Sequence, residues 1–236
     1  MEIKLKKRPK NPIIIEGFPG FGLVGTISTE FLIDHLKTEQ IGWVWFKELP
    51  AMVAIHEEKL VEPIGIFYSK KFNIVLFHVV TVSPGIEWKI SEAILTVGKT
   101  LGAKEIVSIE GVGLVDQNKK DPETYFYSEE RKTREKLKGM GMNPLKEGII
   151  IGPTSAVLLR SSIKTTAFFA ETRSNLPDSN AAAKIIQDLD KYLDLKVDYH
   201  PLLEQATEFE QKLKGILQQS KNAAELAERK KLSYVG

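Results

Sequence analysis

The chain contains no cysteine. That absence excludes disulfides, thiol nucleophiles and zinc sites built on sulfur, and it accords with a reducing interior, so the cytoplasm is the expected compartment. Histidine is nearly as scarce. His35, His56, His78 and His200 are scattered, with no H-E-x-x-H or other compact ligand spacing, and no metal site is expected. His56 and His78 fall on strand patterns, where structural or interfacial roles are the commoner ones. Long apolar runs are missing too: none approaches the roughly 18 residues a membrane span needs. Ile13 to Ile15 is also too short for a signal-peptide core, although Lys4, Lys6, Lys7, Arg8 and Lys10 precede it. Neither sign of charge dominates. A net charge of +2, with acids and bases interleaved, gives no argument for nucleic acid. The N-terminal basic cluster reads as the solvated end of an edge strand. The G-x-S-x-G elbow and the G-x-x-x-x-G-K-[ST] phosphate loop do not occur. The residues suggest no catalytic group and no cofactor.

What is present is an ordinary globular composition of 236 residues, 42% hydrophobic and 27% charged, enough to bury a full core. Its most informative stretch runs from Ile13-Ile14-Ile15-Glu16-Gly17 through Phe18-Pro19-Gly20-Phe21-Gly22 to Leu23-Val24-Gly25. β-Branched residues enter a glycine turn and leave in a helical pattern, which predicts strand, tight turn and helix. Gly20, Gly22 and Gly25 match G-x-G-x-x-G, the spacing of a dinucleotide-binding turn. The ribose-binding acid of that fingerprint has no clean counterpart, because Trp43-Val44-Trp45-Phe46 is followed by Lys47 and only then Glu48. Phe18, Pro19 and Phe21 would also crowd a pyrophosphate. The competing readings are a tight βα turn and a surface loop that contacts a protein through Phe18 and Phe21.

Downstream the pattern alternates. A helix is predicted over Leu23 to Leu36, and strands over Ile41 to Phe46, Met52 to His56, Leu60 to Tyr68 and Asn73 to Val80. A helix over Ile86 to Leu101 follows, ending at Gly102. Glu105 to Glu110 and Gly148 to Ile151 read as short, doubly buried strands, and Thr165 to Glu171 as another before a helix from Asp178 to Leu195. Ser155 reads as a helix cap rather than a nucleophile. The expected fold is α/β, a mixed central sheet with helices on both faces.

Residues 1–200 form the expected core domain, and 116–147, dense in charge, an excursion over its surface with a short helix at Ser128 to Leu137. Within it, Tyr125-Phe126-Tyr127 reads as an aromatic cluster tucked against the domain, or else as a protein-contact patch. Residues 201–236 read as a C-terminal helix and projecting tail. Leu202, Phe209, Leu213 and Ile216 lie along a narrow seam of coiled-coil type, suited to an oligomer interface.

The G-F-P-G-F-G-L-V-G stretch, together with Ala170-Glu171-Thr172-Arg173-Ser174-Asn175-Leu176-Pro177-Asp178 leading into Ala181-Ala182-Ala183, resembles the proteasome-assembly-chaperone family, in particular its archaeal members. The resemblance spans about residues 10 to 215. It implies a fold like that of the nucleoside phosphorylases, no established catalysis, and a homo-oligomer, tetramer or pentamer, that engages other protein subunits such as proteasome α subunits. Some proteasome-binding proteins of this kind end in a hydrophobic residue, a penultimate tyrosine and one last residue. This chain departs from that ending: Leu232-Ser233-Tyr234-Val235-Gly236 places the tyrosine third from the end. Leu232, Tyr234 and Val235 are candidate partner contacts through α-subunit docking or capture by a different partner, with simple fraying as the remaining reading.

One further constellation stands out. Glu16, Glu110, and Glu171 with Arg173, all at strand ends, are placed to converge at one sheet edge, where α/β proteins bind ligands. The favoured reading is a buried salt-bridge network tying loops together. The alternative is a small-molecule enzyme, phosphorylase-like or a ligase, using Gly17, Gly20, Gly22 and Gly25 for phosphate and the acids with Arg173 for other polar contacts.

Overall fold

In the computed structural model of the chain, residues 1–49, 53–56, 58–81, 85–113, 123–172 and 176–204 are described, with Gln211 and Gly215 beyond them. The chain begins with β1 (Glu2–Leu5) and β2 (Ile13–Gly17), turns through a single 3-10 turn at Phe21–Leu23, and enters α1 (Val24–His35). There follow β3 (Glu39–Trp45), the hairpin β4 (Ala54–His56) and β5 (Lys59–Val61), then β6 (Ile64–Ser69) and β7 (Ile74–Val79). After α2 (Glu87–Leu101) come β8 (Glu105–Gly113), β9 (Thr124–Ser128), α3 (Arg131–Gly139) and β10 (Asn143–Pro144). The described part closes with α4 (Pro153–Arg160), β11 (Thr165–Thr172), α5 (Ser179–Leu193) and α6 (His200–Glu204).

Nine of these strands form one mixed sheet in the order β1-β3-β6-β7-β2-β8-β11-β9-β10. Its centre, β7-β2-β8-β11, is parallel. Parallel strands joined by helical crossovers are covered on both faces, so they read as apolar runs rather than alternations, which explains Ile13-Ile14-Ile15. Ile15, Leu76, Val107 and Phe168 pack beneath α1 and α5, whereas Ile14, Val75, Phe77 and Ile106 pack with residues of α2 and with Val157 of α4. Burying side chains of this size contributes about 1.5–3 kcal/mol each. α2 stops where Gly102 takes φ of 62°, a left-handed position that glycine occupies without strain.

The mixed α/β architecture agrees with the sequence expectation; several details do not. The run read as one strand from Leu60 to Tyr68 is divided at Glu62–Pro63 into β5 and β6, since proline gives no ladder donor. Part of the excursion 116–147 is integral to the sheet. β9 pairs antiparallel with β11, β10 lies parallel to β9, and Leu137 of α3 and Met142 join the buried core. The charge density misled because the exposed faces of these edge elements carry it. Phe126 is fully buried while Tyr127 is 40% exposed, the alternation of a strand at a covered edge. Conversely, Gly148 to Ile151 is no strand: Ile149 and Ile151 are 88% and 82% exposed. An apolar tripeptide of this length carries no period that separates a buried strand from an exposed loop. Leu202, read as an interface residue, is buried in the core beneath α1 and α5. Phe209, Leu213, Ile216 and the tail from 216 onward lie outside the described residues.

At the edge, β1 pairs with β3, and the ammonium groups of Lys4 and Lys6 lie 5.0 and 5.1 Å from the Trp43 ring centre. Among the described residues no helix is long and apolar enough to cross a membrane.

Candidate functional site

Register dictates what meets at the C-terminal ends of the parallel strands. Gly17 lies opposite Ile109 and His78, and Thr172 opposite Gly113, so β8 extends beyond β2 and lifts Glu110 to the level of the glycine turn. Glu16 faces Ser108 across the same ladder. With a side-chain period of two, Glu16, Ser108 and Glu110 share the α2/α4 face.

The glycines serve contact between elements. A Cβ on Gly25 would stand 2.7 Å from the Ile109 carbonyl oxygen and as far from the Phe18 nitrogen, so the start of α1 lies directly on β2 and β8. A Cβ on Gly20 would collide with Oε1 of Glu110. Gly22 takes φ of 61°, and a Cβ there would meet Thr172 Oγ1 at 2.5 Å. The turn's own amides are used internally: Gly20 N–H donates to Phe18 O (2.8 Å) and Leu23 N–H to Gly20 O (3.1 Å). A phosphate cradle needs such amides splayed toward the ligand.

The two stretches that carried the family resemblance lock together here. The Asp178 amide donates to Gly22 O at 2.9 Å, Thr172 Oγ1 donates to Asp178 Oδ2 at 2.9 Å, and Asp178 Oδ1 caps α5 by accepting from Ala181 N at 2.9 Å. A capping aspartate satisfies one of the orphan amides of the first turn.

Two carboxyl groups lie buried beside this lock. Thr154 Oγ1, at the start of α4, donates to Glu110 Oε2 at 2.8 Å. Burial nevertheless pushes the Glu110 carboxyl up to about 7, against which the Thr154 bond pulls down. Burial likewise holds Glu16 well above the carboxylate range; Ser108 favours its charged form and the Glu110 charge opposes it. Yet neither Glu16 oxygen, nor Ser108 Oγ beside it, completes a well-aligned hydrogen bond. Among the described residues Glu16 and Glu110 make no ion pair. Glu171 is held apart from them: its Oε1 accepts from Tyr125 Oη at 3.2 Å and its Oε2 from the Glu123 amide at 3.1 Å. Arg173 lies outside the described residues, as do Leu232, Tyr234 and Val235.

Above these groups open two adjoining clefts of about 600 Å³ each, sharing Val112, Gly113, Ile149 and Ile150 as a common wall. Glu110, Gly20 and Phe21 line one, and Glu171 and Tyr125 the other. Phe21 is 41% exposed at the mouth, whereas Phe18, expected beside it as a contact residue, is 2% exposed and packs in the α2/α4 core. Phe18 and Phe21, three residues apart in the turn, differ in burial, and sequence alone does not say which faces in. Sequence reasoning also missed Ser108, Thr154 and Asp178 as site residues. Ser155, expected to cap α4, donates to Gly152 O at 2.7 Å, leaving its neighbour Thr154 for Glu110. Among the described residues no group of three or more His, Cys, Asp or Glu is arranged to hold a metal ion.

Residues 14–217 match the PAC2 family, a span that takes in the glycine turn, the acid pair and the Asp178 lock. The chain belongs to the PAC2 family. This PAC2 chain is similar to Pyrococcus furiosus PbaA, described as an archaeal homolog of proteasome-assembly chaperone. The two share 29% identity at a TM-score of 0.84, covering 94% of this chain and 100% of that one. An uncharacterized Methanocaldococcus jannaschii protein is 26% identical over 219 residues, 92% of this chain and 90% of that protein. P. furiosus PbaB, described as an archaeal proteasome activator, matches at 23% identity and a TM-score of 0.76 over 91% of this chain and 98% of that one, a likeness of fold. In this PAC2 chain the glycine turn lies against the α5 N-terminus.

Proposed function

We propose that the chain is a non-catalytic, homo-oligomeric chaperone or adaptor that binds partner protein subunits, in proteasome assembly or a related complex. The observation that carries this reading is the full-length likeness to PbaA, 94% of one chain on 100% of the other. The site's geometry supports it. The glycine turn is filled by Glu110, Thr172 and its own hydrogen bonds, and an incoming phosphate would face two buried acids rather than amides or a lysine. The crevice instead presents exposed apolar groups, Phe21, Ile149 and Ile151, at its rim, which suits protein contact better than turnover. The tail from Leu232 to Val235 is a second contact in this reading, and the cytoplasm the compartment.

The test is a binding assay between the purified full chain and recombinant proteasome α subunits of the same organism, with and without residues 221–236. Binding that falls at least tenfold on truncation, about 1.4 kcal/mol, assigns the contact to the tail. Undiminished binding that is lost on Phe21→Ser or Ile149→Ser moves it to the crevice rim. No binding to α subunits by the full chain would overturn the proteasome reading. Saturable nucleotide binding abolished by Gly22→Val would favour the enzyme.

A further inference from the structure

The two ends of β8 treat buried acids differently. At its start Glu105, 5% exposed, has Lys164 Nζ at 3.1 Å and accepts from Thr166 (2.6 Å) and Tyr192 (2.8 Å). Toward its other end Glu110 is 7% exposed and, near it on the same face, Glu16 is 0% exposed; neither has a cation among the described residues. Neither oxygen of Glu16 nor Oγ of Ser108, also 0% exposed, completes a well-aligned hydrogen bond; Ser108 is the one polar neighbour that favours the Glu16 charge. A buried charge left without a partner is strongly disfavoured, and buried hydroxyls are ordinarily bonded. Among the described residues a cation answers that requirement at Glu105, whereas Glu110 has only the Thr154 hydroxyl and Glu16 only Ser108.

We propose that Glu16, Ser108, Glu110 and Thr154 form a binding site for one small divalent cation of the Mg²⁺, Ca²⁺ and Mn²⁺ class. The donor set is oxygen only, two carboxyls and two hydroxyls, which suits hard cations and offers nothing to metals that seek nitrogen or sulfur. Two carboxylates balance two positive charges. Access is through Glu110, which lines a cleft of about 600 Å³ and leaves room for water to complete the coordination, as Mg²⁺ in particular requires. Glu16, in β2, is the inner ligand, and Ser108 lies opposite it in the ladder. Thr154 brings in α4, and the contact of Glu110 with Gly20 brings in the glycine turn. The ion therefore joins β2, β8, α4 and the turn and stiffens the crevice mouth. This site stands whether or not the chain binds proteasome subunits.

The test uses the full-length protein freed of metal by chelation and dialysis. Mn²⁺ is titrated and the free ion followed by electron paramagnetic resonance; Mg²⁺ and Ca²⁺ are titrated by calorimetry. The expected result is one site per chain for at least one of the three ions. Glu16→Gln and Glu110→Gln should each weaken it at least tenfold. Glu171→Gln, in the same crevice but held by Tyr125, should leave affinity within about twofold. At a hundredfold excess over Kd the bound ion should raise the melting temperature by about 5 °C or more. Should Glu16→Gln fail to fold, Ser108→Ala takes its place beside Glu110→Gln, with weakened binding again expected. No saturable binding of any of the three ions, which would mean that protons alone neutralise the pair, overturns the site. Affinity unchanged in Glu110→Gln and Ser108→Ala overturns it equally.

Discussion

Gly22 and Thr172, far apart in sequence, are packed so tightly that a Cβ on the glycine would lie 2.5 Å from the threonine hydroxyl. The glycine also holds φ of 61°, a conformation costly for any residue with a Cβ. Strain and collision act together at this position. Gly22→Ala should therefore lower stability by roughly 2–4 kcal/mol in urea unfolding. A loss under about 1 kcal/mol would mean that Thr172 can swing aside and that the contact is loose.

Asp178 is bonded three ways, through its amide to Gly22 O and through its carboxylate to Ala181 N and Thr172 Oγ1. Removing a capping side chain costs about 1 kcal/mol, and the stranded Thr172 hydroxyl adds to it. Asp178→Ala is expected to cost about 1–3 kcal/mol. Asn caps nearly as well as Asp, so Asp178→Asn should recover most of that loss; equal destabilisation by both would assign the effect to charge rather than to the cap.

The buried Glu110 carboxyl, raised to about 7 from an ordinary 4.5, ties stability to pH. Between those values the folded chain keeps the proton that the unfolded chain gives up, so this group's stabilisation is complete below about pH 4.5, falls as pH rises, and levels off above about 7. The span corresponds to about 3 kcal/mol at 1.36 kcal/mol per unit. In chelator, Glu110→Gln should be more stable relative to the parent at pH 8 than at pH 5. Parallel melting curves for the two proteins across that range would refute the linkage.

Leu202 is 3% exposed in α6, packed in the α1/α5 core. Leu202→Ala should cost about 2–5 kcal/mol through lost burial and the cavity left behind. Mass by light scattering should stay that of the parent protein, since the side chain faces its own domain. Dissociation of an oligomer without a drop in melting temperature would place Leu202 at an interface instead.

Much of the sheet was legible before folding, and the reasons are local. Three successive isoleucines, a glycine turn and a 3.6-residue apolar stripe act over distances of a few residues, so β2, the turn and α1 emerge from neighbours alone. The same holds for α2 with its Gly102 stop and for β11 leading to Asp178 and α5. The misread segments had weak or mixed local signals. Ile149, Ile150 and Ile151 carry an apolar pattern with no period, and β9, α3 and β10 hide theirs beneath charged outer faces.

The sequence by itself determined the α/β class and the glycine turn, and it put Glu16, Glu110 and Glu171 at strand ends, because the alternation of strand, turn and helix follows from short-range chemistry; the order of the strands does not. Tertiary structure alone decided which acids are companions. Glu16 and Glu110 share a buried face because β8 runs past β2 in register, while Glu171, one strand away, is drawn off by Tyr125 and the Glu123 amide. It also decided that Phe18 faces the core and Phe21 the crevice. Register and burial are properties of strands brought together from distant parts of the chain, and no run of neighbouring residues encodes them.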